Sequence, residues 1–135
     1  MSIASGSALY IRLANDATLT GLGSTAVYFA LSPQGAAYPF ITIQTTGSTD
    51  TRVFGARATV QERWVVRAWD TGSSHKRAKQ MAERADALLD EYDLVVSGGT
   101  AMACRRLGEL PDLASETDGV MYRQAGATYE IEVRA

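Results

Sequence analysis

The chain has 135 residues, with thirteen Lys and Arg against fifteen Asp and Glu for a formal net charge of −2. That length makes one domain, residues 1–135, which can bury roughly two-thirds of its unfolded surface and needs neither disulfide nor metal to fold. The near balance of charge argues against a dedicated nucleic-acid binder, which would be strongly basic. With 46% hydrophobic and 21% charged residues, the composition is that of a globular protein, neither disordered nor membrane-embedded.

One histidine, His75, and one cysteine, Cys104, are present. They exclude an internal disulfide and cannot together form a zinc site of the usual nitrogen and sulfur type within one chain. No run approaches the roughly 18 to 20 apolar residues of a membrane-spanning helix. The opening MSIASGSALYIRLAND lacks the basic region and apolar core of a signal peptide, so synthesis in a reducing cytoplasm is expected.

In chain order, Ile3, Leu9, Tyr10 and Leu13 recur near helical spacing and predict a first helix over residues 3–14. A short helical turn follows over 16–22, stopped by Gly23. VYFAL at 27–31 reads as a short strand, and SPQGAAYP at 32–39 as turn material. FITIQTT at 40–46 is rich in β-branched residues and predicts a strand with Ile41 and Ile43 on one face. The polar GSTDTRVFGAR that follows is long for a hairpin loop and is expected to form an extended arm.

Residues 59–69 are the strongest strand: Val60, Glu62, Trp64, Val66 and Ala68 alternate with Gln61, Arg63, Val65, Arg67 and Trp69. The main helix is predicted over 75–92, with Ala78, Met81, Ala82, Ala85, Leu88, Leu89 and Tyr92 on its apolar face. Ser73 or Ser74 is suited to cap it. Short strands are expected at 94–96 and 100–107, separated by Ser97-Gly98-Gly99. An acidic, breaker-rich connection spans 108–119, and residues 122–134 form a half-buried closing strand with Ala127, Tyr129, Ile131 and Val133 inward. This order of elements predicts an α+β fold. Its mostly antiparallel sheet would carry one long amphipathic helix and the N-terminal helices packed on one face.

Asp70-Thr71-Gly72 after an apolar strand has the form of an aspartic-protease motif, whose chemistry needs two carboxylates sharing a proton and hence a dimer of so short a chain. A helix begins at once, however, where that motif continues into extended structure, so a strand-to-helix turn is the better account. Gly98-Gly99 and the N-terminal SGS lack the Lys-Ser/Thr and βαβ setting of a phosphate cradle. His75, among Lys76, Arg77 and Lys79, reads as a surface residue without an evident partner, and Cys104 as a small buried group.

Charge on the main helix runs against its dipole, with Lys76, Arg77 and Lys79 first and Glu83, Asp86, Asp90 and Glu91 later. The dipole favours the reverse by roughly 0.3–1 kcal/mol per charge. Such a helix is suited to presenting its ends to charged partners. Arg63 and Arg67 on one strand, and Glu130 and Glu132 on another, could pair across adjacent strands or between subunits.

ALYIRLANDATLTGLG, VYFALSPQGAAYPFITI, ERWVVRAWDTGSSHKRAKQMAERADALLD and the closing GATYEIEVRA, in that order and spacing, resemble the small tail-terminator (tail-completion) proteins of long-tailed bacteriophages and gene-transfer particles. The LGELPDLASETDG segment has no clear counterpart in that pattern. The resemblance implies a homohexameric ring that caps the tail tube, ends its growth and provides the surface that joins tail to head. The partners it implies are other copies of the chain, the tail tube protein and the head–tail connector (neck) protein. No enzymatic activity, cofactor, metal, membrane or sequence-specific nucleic acid is implied. The chain would sit in the virion at the head-proximal end of the tail, after assembly in the host cytoplasm. On this reading the arm around Asp50, Arg52 and Arg57 touches the tube or an adjacent subunit. Arg63, Arg67, Glu130 and Glu132, with Lys76, Arg77 and Lys79, are candidates for ring contacts. The alternatives are another neck or minor tail component, and a small homodimeric aspartic-type hydrolase built on Asp70.

Overall fold

The alternation read at residues 59–69 sets the architecture. In a computed structural model, Glu62, Trp64, Val66, Ala68 and Asp70 of one strand are all buried, while Gln61, Arg63, Arg67 and Trp69 on its other face are half-buried. The structure describes residues 3–23, 26–30, 35, 37–53, 56–72, 74–95 and 101–134. The elements in order are α1 (Ile3–Ala14), α2 (Ala17–Gly21), β1 (Val27–Phe29), β2 (Phe40–Val53), β3 (Ala56–Thr71), α3 (Lys76–Leu89), β4 (Tyr92–Val95), β5 (Ala101–Glu109), β6 (Leu113–Thr117) and β7 (Val120–Arg134).

One seven-stranded sheet has the order β1-β2-β3-β7-β5-β4, with β6 also paired to β7. The β1–β2 pair is parallel and all other pairs are antiparallel. The fold is therefore mixed α/β and dominated by its sheet. Leu9 and Leu13 of α1, Leu19 of α2, and Met81, Ala85, Leu88 and Leu89 of α3 join Ile41, Ile43, Trp64, Val66, Ala127, Tyr129 and Ile131 in one core. Each such leucine or isoleucine withdrawn from water contributes about 1.5–3 kcal/mol. Asp16 ties the helices together: its carboxylate accepts the Leu19 N–H as the N-cap of α2 and takes Nε and Nη2 of Arg84 on α3 at 3.0 and 2.8 Å.

Several expectations are corrected. The strand read at 40–46 runs to Val53, and its partner begins at Ala56, so the expected extended arm is there but is built by the two strands themselves, which are longer than read. Residues 108–119, read as a connection, contain β6. Thr117 pairs with Val120 across Asp118-Gly119, whose φ angles are 51° and 78°. Two positive φ values in a two-residue hairpin define the tight turn whose twist suits paired strands, and Asp-Gly is its usual sequence. The breakers at 108–112 misdirected the reading, because Leu110-Pro111-Asp112 kinks one long ribbon, β5 and then β6, along the same edge of β7.

The main helix ends at Leu89, and Tyr92 belongs to β4, with Glu91 at φ 55° making the reversal. The Tyr92 ring lies under the Arg12 guanidinium at 3.8 Å. Tyr10, expected on the core face of α1, is 41% exposed and stacks on Phe29. Ser74 Oγ accepts the Lys76 N–H at the start of α3, whereas Ser73 lies outside the described residues. So do Val96, Ser97, Gly98 and Gly99, and residues 31–34 and 36 of the expected strand end and turn.

Candidate assembly surfaces

The sheet is covered by helices on one face and carries β-hairpins at both ends. At one end, β2 and β3 pair from Phe40↔Trp69 out to Val53↔Ala56, with register shifts at Thr45/Gly47 and Thr51/Arg52. Because β3 meets β7 only from Thr59 onward, its first three residues extend past β7 by roughly 10 Å. Arg52 and Arg57 are direct cross-strand partners there, while Asp50 is exposed opposite Val60. At the base of the arm Arg63 Nη1 donates to Thr49 Oγ1 at 3.3 Å.

Arg63, Arg67, Glu130 and Glu132 fall on the helix-free face by strand alternation. The sequence left their pairing open; β3 and β7 are adjacent, with Arg63 opposite Glu130 and Gln61 opposite Glu132. Glu130 makes an ion pair on its other side, at 2.9 Å to Arg105 of β5, a residue that sequence reasoning missed. Arg67 sits between Thr42 and Gly126. A Cβ on Gly126 would drive into the Val66 carbonyl and come within 2.9 Å of Arg67 Cα, so only glycine lets β3 and β7 approach here.

The basic start of α3 is matched within the chain. Arg77 donates Nε and Nη2 to the two oxygens of buried Asp70 at 2.9 and 2.6 Å, and this bonding raises the Arg77 pKa. Lys79 lies 2.7 Å from Glu109 and 3.2 Å from Asp112, which raise its pKa in that order. These acids come from β3 and the β5–β6 kink, so they offset the unfavourable dipole from outside the helix. Lys76 is exposed. His75, which had no evident partner in the sequence, has two: Nδ1 lies 2.8 Å from Arg123 Nη1 and Nε2 lies 3.2 Å from the Leu113 carbonyl. A neutral ring accepting from Arg123 at Nδ1 and donating at Nε2 satisfies both contacts. Arg123 Nε also donates to the Gly72 carbonyl at 2.7 Å, fastening the strand-to-helix turn to β7.

Two of the four later acids have partners as well. Asp86 accepts the Tyr129 hydroxyl at 2.8 Å and lies 3.5 Å from Arg106, while Asp90 accepts the Arg106 N–H. Burial, followed by Asp90 and Asp86, pushes the Cys104 thiol up to about 12, so the sulfur is a packed core atom. The Asp70 carboxylate, the basis of the hydrolase alternative, is the buried acceptor for Arg77. Among the described residues, no group of three or more His, Cys, Asp and Glu could hold a metal ion, and no helix is long and apolar enough to cross a membrane.

The chain is thus a mixed α/β sheet with hairpins at both ends, and Arg77, Lys79 and Asp86 of α3 have charged partners on other elements. The tail completion protein gp17 family model matches residues 7–132, and the chain belongs to that family. It is a structural protein of a phage-type tail. The fold is similar to a chain of the virion of a native gene transfer agent particle, with a TM-score of 0.76 at 21% identity and all of both chains covered. A second solved structure has a TM-score of 0.48 at 18% identity, over 78% of this chain and 77% of that one. No curated protein matches.

Proposed function

We propose that this chain is a tail terminator: a homohexameric ring that caps the tail tube, ends its growth and offers the surface to which the head–tail connector joins. The reading is carried by one observation, two hairpins that extend a single sheet at opposite ends, in a chain of the tail completion family. A subunit built this way can hold a neighbour or the tube at one end while its other end stays available. In this proposal Asp50, Arg52 and Arg57 form the arm contact. Arg63, Arg67, Glu130 and Glu132 on the helix-free face, together with exposed Lys76, contribute to the ring. Arg77 and Lys79 keep their intrachain acids and hold α3 in place beside those contacts. The ring sits in the virion at the head-proximal end of the tail, after assembly in the host cytoplasm, and meets the tail tube protein on one side and the neck protein on the other. Electron microscopy of particles produced without this chain tests the proposal. Tails of uncontrolled length, or tails without heads, support it; tails of normal length attached to heads overturn it.

A further inference from the structure

The two ends of the sheet differ in charge and are alike in leaving a strand edge open. From Thr59 to Thr71, β3 separates them by roughly 40 Å. At the arm end, β1 covers only Ile41, Thr42 and Ile43 of β2, so beyond Ile43 the outer edge of β2 meets no strand among the described residues. At the other end β6 pairs only with β7, and all five of its residues are exposed. Open edges of this kind are templates for pairing with another chain.

Charge says which chain. Arg52 and Arg57 occupy directly opposite register positions at the arm, which carries these two basic residues and one acid, Asp50. The ribbon from 108 to 119 contains Glu109, Asp112, Glu116 and Asp118 and no basic residue. Lys79 takes Glu109 and Asp112, while Glu116 and Asp118 are exposed on β6 and its turn. The basic arm and the acidic edge lie on opposite ends of one chain, so they meet only between copies.

We infer that the β2–β3 arm of one copy docks along the free edge of β6 in a second copy, with Arg52 and Arg57 against Glu116 and Asp118. The contact is head-to-tail and uses two different surfaces, the arrangement that closes into a ring when successive rotations add to a full turn. This rests on the terminator reading for its setting and names the neighbour, not the tube, as the partner of the arm.

The test is charge reversal with rescue, read as the amount of this chain per purified particle. R52E/R57E and E116R/D118R should each cut incorporation by at least about tenfold, since opposed like charges oppose docking. The four changes in one chain restore complementarity and should return incorporation close to the unmodified level. Thermal unfolding of each purified variant separates misfolding from lost contact, and a mixture of the two double variants offers a second route to complementary ends. Unchanged incorporation in either double variant, or a further loss in the combined variant, overturns the inference. Rescue failing while particles without the chain still carry over-long or headless tails removes the arm contact and leaves the terminator reading standing. Rescue succeeding while those tails are normal does the opposite.

Discussion

Tyr129 is the point where the helix layer is bonded to the centre of the sheet, and Tyr129→Phe tests that joint. The side chain is 1% exposed, and its hydroxyl donates to Asp86 on α3 at 2.8 Å. A hydrogen bond to a charged group contributes about 1.5–3 kcal/mol. Asp86 keeps some access to water, with its side chain 28% exposed, and keeps Arg106 at 3.5 Å, so it is not stranded when the hydroxyl goes. The loss should therefore fall at the low end, about 1.5 kcal/mol or a few degrees in Tm. Asp86→Ala should cost more, about 2–3 kcal/mol, because it leaves a buried hydroxyl without its acceptor. The double variant should be less destabilised than the sum by about 1 kcal/mol. Urea unfolding followed by tryptophan fluorescence, with the slope unchanged, measures all three.

pH supplies a second reading of the same bond. Burial first, then the bond to Asp86, raises the Tyr129 pKa above its ordinary value of 10.0. The folded state therefore holds its proton where the unfolded chain releases it. The stabilisation is complete below pH 10 and is lost as pH rises above it, a loss that Tyr129→Phe lacks. The gap between the two proteins should narrow above that pH. A Tyr129→Phe protein as stable as the unmodified one, with no coupling to Asp86, would refute the reasoning.

Gly126→Ala forces a Cβ into the backbone of β3 and should cost at least about 2–3 kcal/mol by urea unfolding; a change below about 0.5 kcal/mol would contradict the close approach of the strands. Cys104, buried and with its thiol pushed up to about 12, should resist alkylation at pH 8 in the folded protein and react in urea, as read by mass spectrometry. Asp16→Asn keeps a good helix cap and removes the charged contact. The bond from Arg84 holds the Asp16 carboxyl below its ordinary 3.8, so the stabilisation is present above that pH and lost as pH falls through the lower folded value. Asp16→Asn should thus be less stable at pH 7, with the difference closing in acid; a difference independent of pH contradicts the assignment.

Wherever one physical pattern dominated, the sequence was readable. Alternation located the cores of β3 and β7, and helical spacing located α1 and α3, because burial on one face imposes each period. The end of α3 was overrun because Tyr92 continues its spacing, although the residue packs from β4 beneath Arg12. β6 was lost because Pro111 and the acids around it read as loop, yet Asp118-Gly119 was a legible hairpin signal two residues past Glu116. The helix charges looked unmatched along the chain because their partners, Asp70, Glu109, Asp112 and Arg106, come from other elements. Only tertiary structure could supply those, as it supplied the two partners of His75.

The central claim is positional, so its most direct test is to locate the chain in intact particles. Cryo-electron microscopy of the head–tail junction should resolve a six-fold ring of this fold between the last layer of the tail tube and the neck. Density for the chain along the tube, at the distal tip or inside the head, with that junction occupied by another protein, would contradict the account.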